Sequence, residues 1–494
     1  MSGSNFGKRW SCPLDGTAYA QPLYVPSLAI NGGTHNVLFV ATMHDSLYVF
    51  DADDPNCVTY WHVSFINPGA GITSTSSAAA GCPDVLGEYG INGTPVIDLS
   101  SKTIDAVTNT TENGTVYQRL HALQLATGAE QPNSPRLIQP SVVGNGDGGT
   151  TVNFNAIAEN QRAGLVLSGG GVFVGFGSHC DTVAWHGWLL RYDKVSLSPT
   201  AVLNVTPNGT YGGIWMSGAA PAVDSGGNMF LSTGNGDFTD ASNTIPALAP
   251  NNNFGESFLN LNTTTLAVQD FYTPSSYAQW NTDDLDISAG GLVVIPDGAG
   301  PGGHPNLLVG VDKQGHIWSI DRDNMSGYVA GSDNTVQYLT LPYASTYSIH
   351  NAPAYWSGTV YVAVYNGPLM ALQLSGGLLP GNGGTAIAAS QSAESYGYPP
   401  PTPTITYSPS GNNAIVWALD NQANGTDTDD GALALGPAIL RAYDANNLGT
   451  TLYSSSNLAA DTAGNAVKFT LPVVANGHVY VAGAGTLTVY GLAH

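Results

Sequence analysis

Histidine and lysine are scarce in this 494-residue chain, with 11 His and only 12 Lys and Arg together, so their placement is informative. His44, His179 and His186 fall in or beside turns between apolar runs, with Asp45 and Asp181 nearby. Imidazole can ligate a metal or move a proton near neutral pH, and an adjoining carboxylate can fix its tautomer. The spacing is not that of closely set metal ligands, so no metal follows from it. The competing reading makes His44-Asp45 and His179 with Asp181 turn residues bonded to neighbouring backbone.

A second group stands just ahead of apolar strands. His350-Asn351 precedes Ala352-Pro353-Ala354, and Arg162, Trp215 and Asp286 occupy similar positions elsewhere. A cation, an indole and a carboxylate around one opening suit a polar ligand such as a sugar or uronate, because Trp covers apolar sugar faces and Arg pairs with carboxylate. Alternatively, Trp215 packs between sheets and Arg162 neutralises a buried acid. Lys313, in the turn Asp312-Lys313-Gln314-Gly315, could hold an anion or act as a base, or be an exposed turn residue. The candidate catalytic set is therefore His44, Asp45, His179, Lys313 and His350, with Arg162, His186, Trp215 and Asp286 as ligand-binding candidates. No Gly-x-Ser-x-Gly elbow, Walker loop or His-Glu-x-x-His helix occurs, and Gly144-Asn145-Gly146-Asp147-Gly148-Gly149 lacks the strand-to-helix context of a phosphate loop.

Distant residues can meet only if a scaffold aims them together, and the chain carries a repeat that does so. Val37-Leu38-Phe39-Val40-Ala41-Thr42 followed by Leu47-Tyr48-Val49-Phe50-Asp51 returns as Leu307-Leu308-Val309-Gly310 followed by His316-Ile317-Trp318-Ser319-Ile320-Asp321. Short strands recurring at roughly 40 to 60 residues predict a β-propeller, whose blades stack around an axis because none can bury its faces alone. Proline recurs at the start of inner strands, as in Thr94-Pro95-Val96-Ile97, Ala220-Pro221-Ala222-Val223 and Leu471-Pro472-Val473-Val474, where a missing N–H does not break a ladder. The expected fold is all-β: one domain, an eight-bladed propeller of four-stranded antiparallel blades near 20–66, 88–140, 155–206, 213–273, 286–341, 348–395, 400–456 and 465–494. The last segment supplies Phe469–Ala475, Val479–Ala482 and Leu487–Tyr490, and Phe6–Pro13 is expected to add the outer strand that closes the ring. Seven blades are the alternative, because 375–405 is rich in Gly, Ser and Pro. Insertions at 67–88, 105–115, 177–187, 234–256, 296–306 and 420–435 are expected to build a functional face.

With 35 Asp and Glu, the net charge of -23 repels phosphate backbones and anionic membranes, so nucleic acid is excluded as a partner. The cluster Asp427-Thr428-Asp429-Asp430 reads as solvated turn carboxylates rather than a calcium loop. No run of about 20 apolar residues exists to span a membrane, and Met1-Ser2-Gly3-Ser4 has no export leader. A secreted or periplasmic monomer, its leader removed, is expected. Asn-x-Ser/Thr sites occur at Asn92, Asn109, Asn113, Asn204, Asn208, Asn262, Asn324 and Asn424. Cys12, Cys57, Cys82 and Cys180 form an even set without metal spacing and permit three disulfide pairings. Propeller geometry favours Cys12 with Cys57 near the ring closure and Cys82 with Cys180.

The strand phrases Leu47-Tyr48-Val49-Phe50-Asp51-Ala52 and His121-Ala122-Leu123-Gln124-Leu125-Ala126-Thr127-Gly128 resemble the quinoprotein-like propeller superfamily, the pyrroloquinoline-quinone (PQQ) repeat proteins. That superfamily includes PQQ-dependent alcohol dehydrogenases and noncatalytic outer-membrane assembly scaffolds. Gln21-Pro22-Leu23-Tyr24-Val25-Pro26, Ala41-Thr42-Met43-His44-Asp45-Ser46, His186-Gly187-Trp188, Gly212-Gly213-Ile214-Trp215 and Asp321-Arg322-Asp323-Asn324-Met325 are similar to uncharacterised secreted bacterial PQQ-like proteins. The resemblance implies a propeller and raises PQQ with calcium as cofactors. The dehydrogenases clamp PQQ with adjacent cysteines, calcium and Trp-containing repeats, whereas this chain has no Cys-Cys pair and no Trp after Thr127-Gly128, which argues against PQQ. Three functions follow as expectations: binding of a polar small molecule or glycan at the axial mouth, with lyase or hydrolase chemistry; a PQQ- and calcium-dependent alcohol or sugar dehydrogenase; and a noncatalytic scaffold or surface-assembly protein.

Overall fold

The computed structural model describes residues 5–181, 183–239, 252–411, 413–425 and 435–493. They form an eight-bladed β-propeller of mainly antiparallel, four-stranded sheets. Blade 1 comprises Leu23–Ile30, Gly33–Thr42, Ser46–Asp51 and Thr59–Ser64; blade 2 comprises Val96–Asp98, Thr103–Glu112, Thr115–Gln124 and Arg136–Leu137. Blade 3 is Val166–Ser168, Gly171–Ser178, Trp188–Asp193 and Pro199–Asn204, and blade 4 is Ala222–Val223, Asn228–Ser232, Phe258–Asn262 and Val268–Thr273. Blade 5 is Leu292–Val294, Leu307–Val311, His316–Asp321 and Gln337–Thr340, and blade 6 is Ala354–Trp356, Thr359–Ala363, Gly367–Gln373 and Ser390–Tyr396. Blade 7 is Thr404–Thr406, Ile415–Asp420, Ile439–Asp444 and Asn447–Ser454; blade 8 is Val473–Ala475, His478–Leu492 and the N-terminal Phe6–Thr17. The chain divides into two compact units, residues 1–138 with 397–494 and residues 139–396.

The repeated phrase folds the same way each time it occurs. Val37, Leu38, Phe39 and Val40 pair with Asp51, Phe50, Val49 and Tyr48, and Leu307, Leu308 and Val309 pair with Asp321, Ile320 and Ser319. In blades 1, 3, 5 and 7 the third strand ends in an aspartate that turns the chain. The Oδ1 atoms of Asp51, Asp193, Asp321 and Asp444 accept the N–H two residues on, at 3.0, 3.1, 2.9 and 2.9 Å. This Asx turn is why the phrase ends in Asp.

Middle strands are buried on both faces, so neighbouring blades share cores. Phe39, Val49, Ile104 and Leu123 pack between blades 1 and 2 of the first unit, and Phe173, Leu189, Phe230, Leu259, Leu308 and Trp318 pack through blades 3 to 5 of the second. Each such side chain contributes about 1.5–3 kcal/mol on leaving water. The prolines lie where expected: Pro95, Pro221 and Pro472 immediately precede Val96–Asp98, Ala222–Val223 and Val473–Ala475.

Ring closure by the N-terminal strand is observed, with Phe6 opposite Leu492 and Cys12 opposite Leu487. The strand is longer than expected, reaching Thr17, and the two separate strands expected at Val479–Ala482 and Leu487–Tyr490 lie inside the continuous assignment His478–Leu492. Residues 105–115 are not an insertion: they belong to the long hairpin of Thr103–Glu112 and Thr115–Gln124. Seven blades are ruled out, because Ser390–Tyr396 completes blade 6 and Thr404–Thr406 begins blade 7. The Asp427–Asp430 cluster and the centre of the 234–256 insertion lie outside the described residues. Of the glycosylation motifs, Asn92, Asn109, Asn204 and Asn424 are buried and cannot carry a glycan in the folded protein. No helix among the described residues is long and apolar enough to cross a membrane.

Two disulfides are present. Cys12 bonds Cys57, tying the closing strand to blade 1, and Cys82 and Cys180 are likewise disulfide-bonded. Cys12 and Cys57 are 45 residues apart, and a closed loop of that length restricts the unfolded chain by about 4 kcal/mol. Replacing both with serine should lower the urea midpoint accordingly; an unchanged midpoint would show that this link does not limit stability.

Candidate functional site

The candidate site is built in the second unit, on loops that precede inner strands or join second to third strands. Its anchor is the turn Asp312-Lys313-Gln314-Gly315. Asp312 is fully buried, and its carboxylate accepts the N–H of Gln314 at 3.0 Å, the N–H of His316 at 3.1 Å and the indole N–H of Trp318 at 2.8 Å, while lying 3.0 Å from His316 Nδ1. These bonds fix the turn, which places Lys313 rather than leaving it to wander.

Lys313 is 8% exposed and its Nζ lies 2.9 Å from Asp284 Oδ2 and 3.0 Å from Asp286 Oδ2. The backbone adds to this, since Lys313 N–H donates to the Asp286 carbonyl at 3.0 Å. Burial alone would depress the lysine pKa, but the charges of Asp286 and Asp284 hold it above the usual range. Asn235 braces both acids: its backbone N–H donates to Asp286 Oδ1 and its side-chain amide to Asp284 Oδ1, each at 2.8 Å. Below them Glu256 is fully buried; its Oε2 accepts the N–H of Ile287 at 2.9 Å, while Oε1 has no hydrogen-bond partner among the described residues. Burial, then the neighbouring Asp286, push the Glu256 carboxyl well above the usual carboxylate range. Burial, then Asp286, also raise Asp284.

Aromatic rings flank this set. The Tyr347 ring, more than a third exposed, lies 5.0 Å from Lys313 Nζ. Trp215 meets Trp185 edge to face at 5.3 Å, and Trp185 meets Tyr211 at 5.1 Å. The Trp215 indole is seated against Gly177, Gly213 and Gly234, where an added Cβ would overlap its ring. At Gly234 that Cβ would also strike Asp286 Oδ1, so one missing side chain makes room for both groups. Asp181 receives a hydrogen bond from Ser178, and burial raises its pKa. Arg162 Nη2 donates to the Ser217 carbonyl at 3.3 Å, and the guanidinium lies against Gly218.

The expected residues therefore divide. Lys313 and Asp286 are in direct contact, and Arg162, Trp215, Asp181, His179, His186 and His350 belong to the same unit. His186 is buried, with Nδ1 3.1 Å from Thr206 Oγ1 and Nε2 3.2 Å from Asp147, a bracing arrangement. His179 is also buried, its N–H donating to the Ala158 carbonyl, and His350 is partly exposed. His44 and Asp45 belong to the first unit, where His44 Nδ1 is 3.0 Å from Glu88 and buried Asp45 accepts the Asn109 N–H at 3.1 Å. Sequence reasoning missed Asp284, Asn235, Glu256 and Tyr347; the Asp284-Leu285-Asp286 pair ahead of an inner strand was a usable signal, whereas Glu256 and Tyr347 gave none. It also missed Lys468 of the first unit, which is 1% exposed, ion-paired with Asp84 and placed over Tyr398 at 5.6 Å.

The repeat, its register and the blade count define an eight-bladed β-propeller. No protein-family model matches the sequence, and no curated protein matches it. Among solved structures it is similar to quinohemoprotein alcohol dehydrogenase from Comamonas testosteroni, with a TM-score of 0.58 and 14% identity over 100% of this chain and 79% of that one. It is similar also to BamB from Moraxella catarrhalis (TM-score 0.53, 14% identity, 99% and 98% covered) and to Sqt1 from Saccharomyces cerevisiae (0.53, 10%, 99% and 100%). At such identities the likeness establishes the fold and nothing finer.

The raised pKa of Glu256 makes stability depend on pH. Its folded pKa lies above the ordinary 4.5, so over that interval the folded chain binds more protons than the unfolded one, and stability falls as pH rises. Glu256→Gln is neutral throughout and should remove part of that fall, giving a shallower decline of Tm from pH 5 upward in calorimetry; parallel curves would show that Glu256 is ionised when folded.

Proposed function

We propose that the protein binds a neutral, hydroxyl-rich ligand of carbohydrate type at the Lys313–Asp284–Asp286 cluster, with Trp215 and Tyr347 supplying faces for a sugar ring. The observation that carries this reading is the ion-paired lysine between two carboxylates, bordered by a partly exposed indole and an exposed phenol. Carboxylate oxygens and an ammonium offer acceptors and donors to hydroxyl groups, and aromatic rings cover the apolar faces of sugars. A uronate fits less well than the sequence suggested, because Lys313 is already matched by two acids. The same groups provide acid–base capacity for lyase or hydrolase chemistry, through Asp284 with its raised pKa. The disulfides fit a secreted or periplasmic setting.

The similarity in fold to a quinohemoprotein alcohol dehydrogenase raises PQQ with calcium as the second reading. PQQ is a tricarboxylate, and the cluster sets Asp284 and Asp286 against one lysine, with Asp181 in the same electrostatic neighbourhood. Among the described residues, no group of three or more His, Cys, Asp or Glu is set to hold a metal ion. The residues present do not match that cofactor's charge.

Calorimetric titration with neutral oligosaccharides and uronates tests the reading. Neutral sugars should bind, and Asp286→Asn or Lys313→Met should weaken binding at least tenfold, about 1.4 kcal/mol. Tighter uronate binding, or dye reduction by an alcohol after reconstitution with PQQ and calcium, would replace this reading.

A further inference from the structure

Two tyrosines of the second unit are held open to solvent by backbone that few residues adopt. Tyr211 lies in the loop from blade 3 to blade 4, and Tyr347 in the loop from blade 5 to blade 6. Their φ angles are 71° and 65°, in the left-handed region that bulky side chains avoid, and they are 38% and 36% exposed. Strained positions persist only where surrounding contacts over-determine them, and they gather at ligand sites.

The main chain supplies those contacts. The Tyr211 N–H donates to the Trp185 carbonyl at 3.1 Å, and its carbonyl accepts the Gly187 N–H at 3.0 Å and the Thr206 hydroxyl at 2.7 Å. Beside Tyr347, the Ile349 N–H donates to the Lys313 carbonyl at 3.3 Å and the Tyr365 N–H to the Ser348 carbonyl at 2.8 Å. Neither phenol hydroxyl is hydrogen-bonded among the described residues. A ligand can therefore meet both rings without first ordering them or displacing a partner.

Contacts join the two tyrosines through the Lys313 cluster. Tyr211 meets Trp185 at 5.1 Å, Trp185 meets Trp215 at 5.3 Å, and Trp215 and Asp286 share the space at Gly234. Asp286 lies 3.0 Å from Lys313 Nζ, which lies 5.0 Å from the Tyr347 ring. Trp185 is 2% exposed, so it joins Tyr211 to Trp215 rather than meeting a ligand itself. Tyr347 is thus an aromatic platform at the cluster, while Tyr211 is a second platform set one ring beyond Trp215.

We propose that the ligand is a neutral oligosaccharide rather than a single sugar, and that Tyr211 forms a distal subsite for a residue beyond the one held at Lys313. The proposal rests on the carbohydrate reading of the Lys313 cluster and adds a requirement for chain length. A phenol ring covers the apolar face of a sugar, and its unpartnered hydroxyl can both donate to and accept from sugar hydroxyls. A residue tethered to one already bound reaches Tyr211 at high effective concentration, so affinity should climb with length. Charge keeps the chain neutral, because Lys313 is matched by two acids and the net charge is -23.

Calorimetric titration of the intact protein with cello-, xylo- and manno-oligosaccharides, from disaccharide to hexasaccharide, reads the length dependence. In a series that binds, the wild type should hold the hexasaccharide at least about tenfold more tightly than the disaccharide. Tyr211→Asn, chosen because Asn tolerates positive φ, should bring that ratio below about threefold, and Tyr211→Phe should keep most of it. Asp286→Asn should weaken every length by a similar factor, and a Tm measurement checks that each variant is folded. Equal affinity for all lengths, or a ratio indifferent to Tyr211→Asn, would overturn the distal subsite and leave the Lys313 reading standing. Binding of no saccharide would overturn both, as would tighter binding of a proline-rich peptide than of any saccharide.

Discussion

The middle strands of these blades are apolar on both faces, and the cores they share with neighbouring blades keep those faces out of water. The pairing of Val37–Val40 with residues 48–51, repeated at 307–309 with 319–321, presents Phe39, Leu308 and their equivalents to neighbouring sheets. Once those faces are buried, the turns between strands have no freedom to choose where they point. The position of Lys313 follows from that constraint, because the buried Asp312 that shapes its turn is bonded to Trp318 in the core of the same blade.

The candidate cluster shows how an acidic protein can keep a buried lysine. In a chain with 35 acids and 12 Lys and Arg, a buried ammonium is readily matched, and the arrangement of those acids decides what else can bind. Asp284 and Asp286 hold Lys313, Asn235 orients both, and burial next to Asp286 favours the protonated form of Glu256 by raising its pKa. The result is an ammonium group already held by two carboxylates, with no positive charge left over. Similar propellers carry different activities, so the site rather than the fold has to support the functional reading.

Backbone space matters as much as charge. Trp215 and Asp286 share the room left by Gly234, and Gly177 and Gly213 leave the rest of the indole's seat. In the other unit, pairing of Phe6–Thr17 with the C-terminal strand closes blade 8 and removes a sheet edge.

Much of the fold was legible in the sequence, for a physical reason. Period-two strands ending in Asp, prolines opening inner strands, and an N-terminal segment without a partner all encode local or nearest-neighbour requirements. They gave the eight blades and the closure, while the 105–115 hairpin was misread because its Thr- and Asn-rich strands look like loop. The site was legible only in part. Lys313, Trp215 and Asp286 stood out by rarity and by position before inner strands, yet Glu256, Asn235 and Tyr347 lie in long loops whose sequences carry no period. Only the tertiary structure could decide that these loops meet around one ammonium group, that His186 is a buried brace, and that His44 and Asp45 belong to the other unit. Local sequence sets which strands form, but which distant charges face each other depends on how stacked sheets aim their loops, and that is a property of the assembled chain.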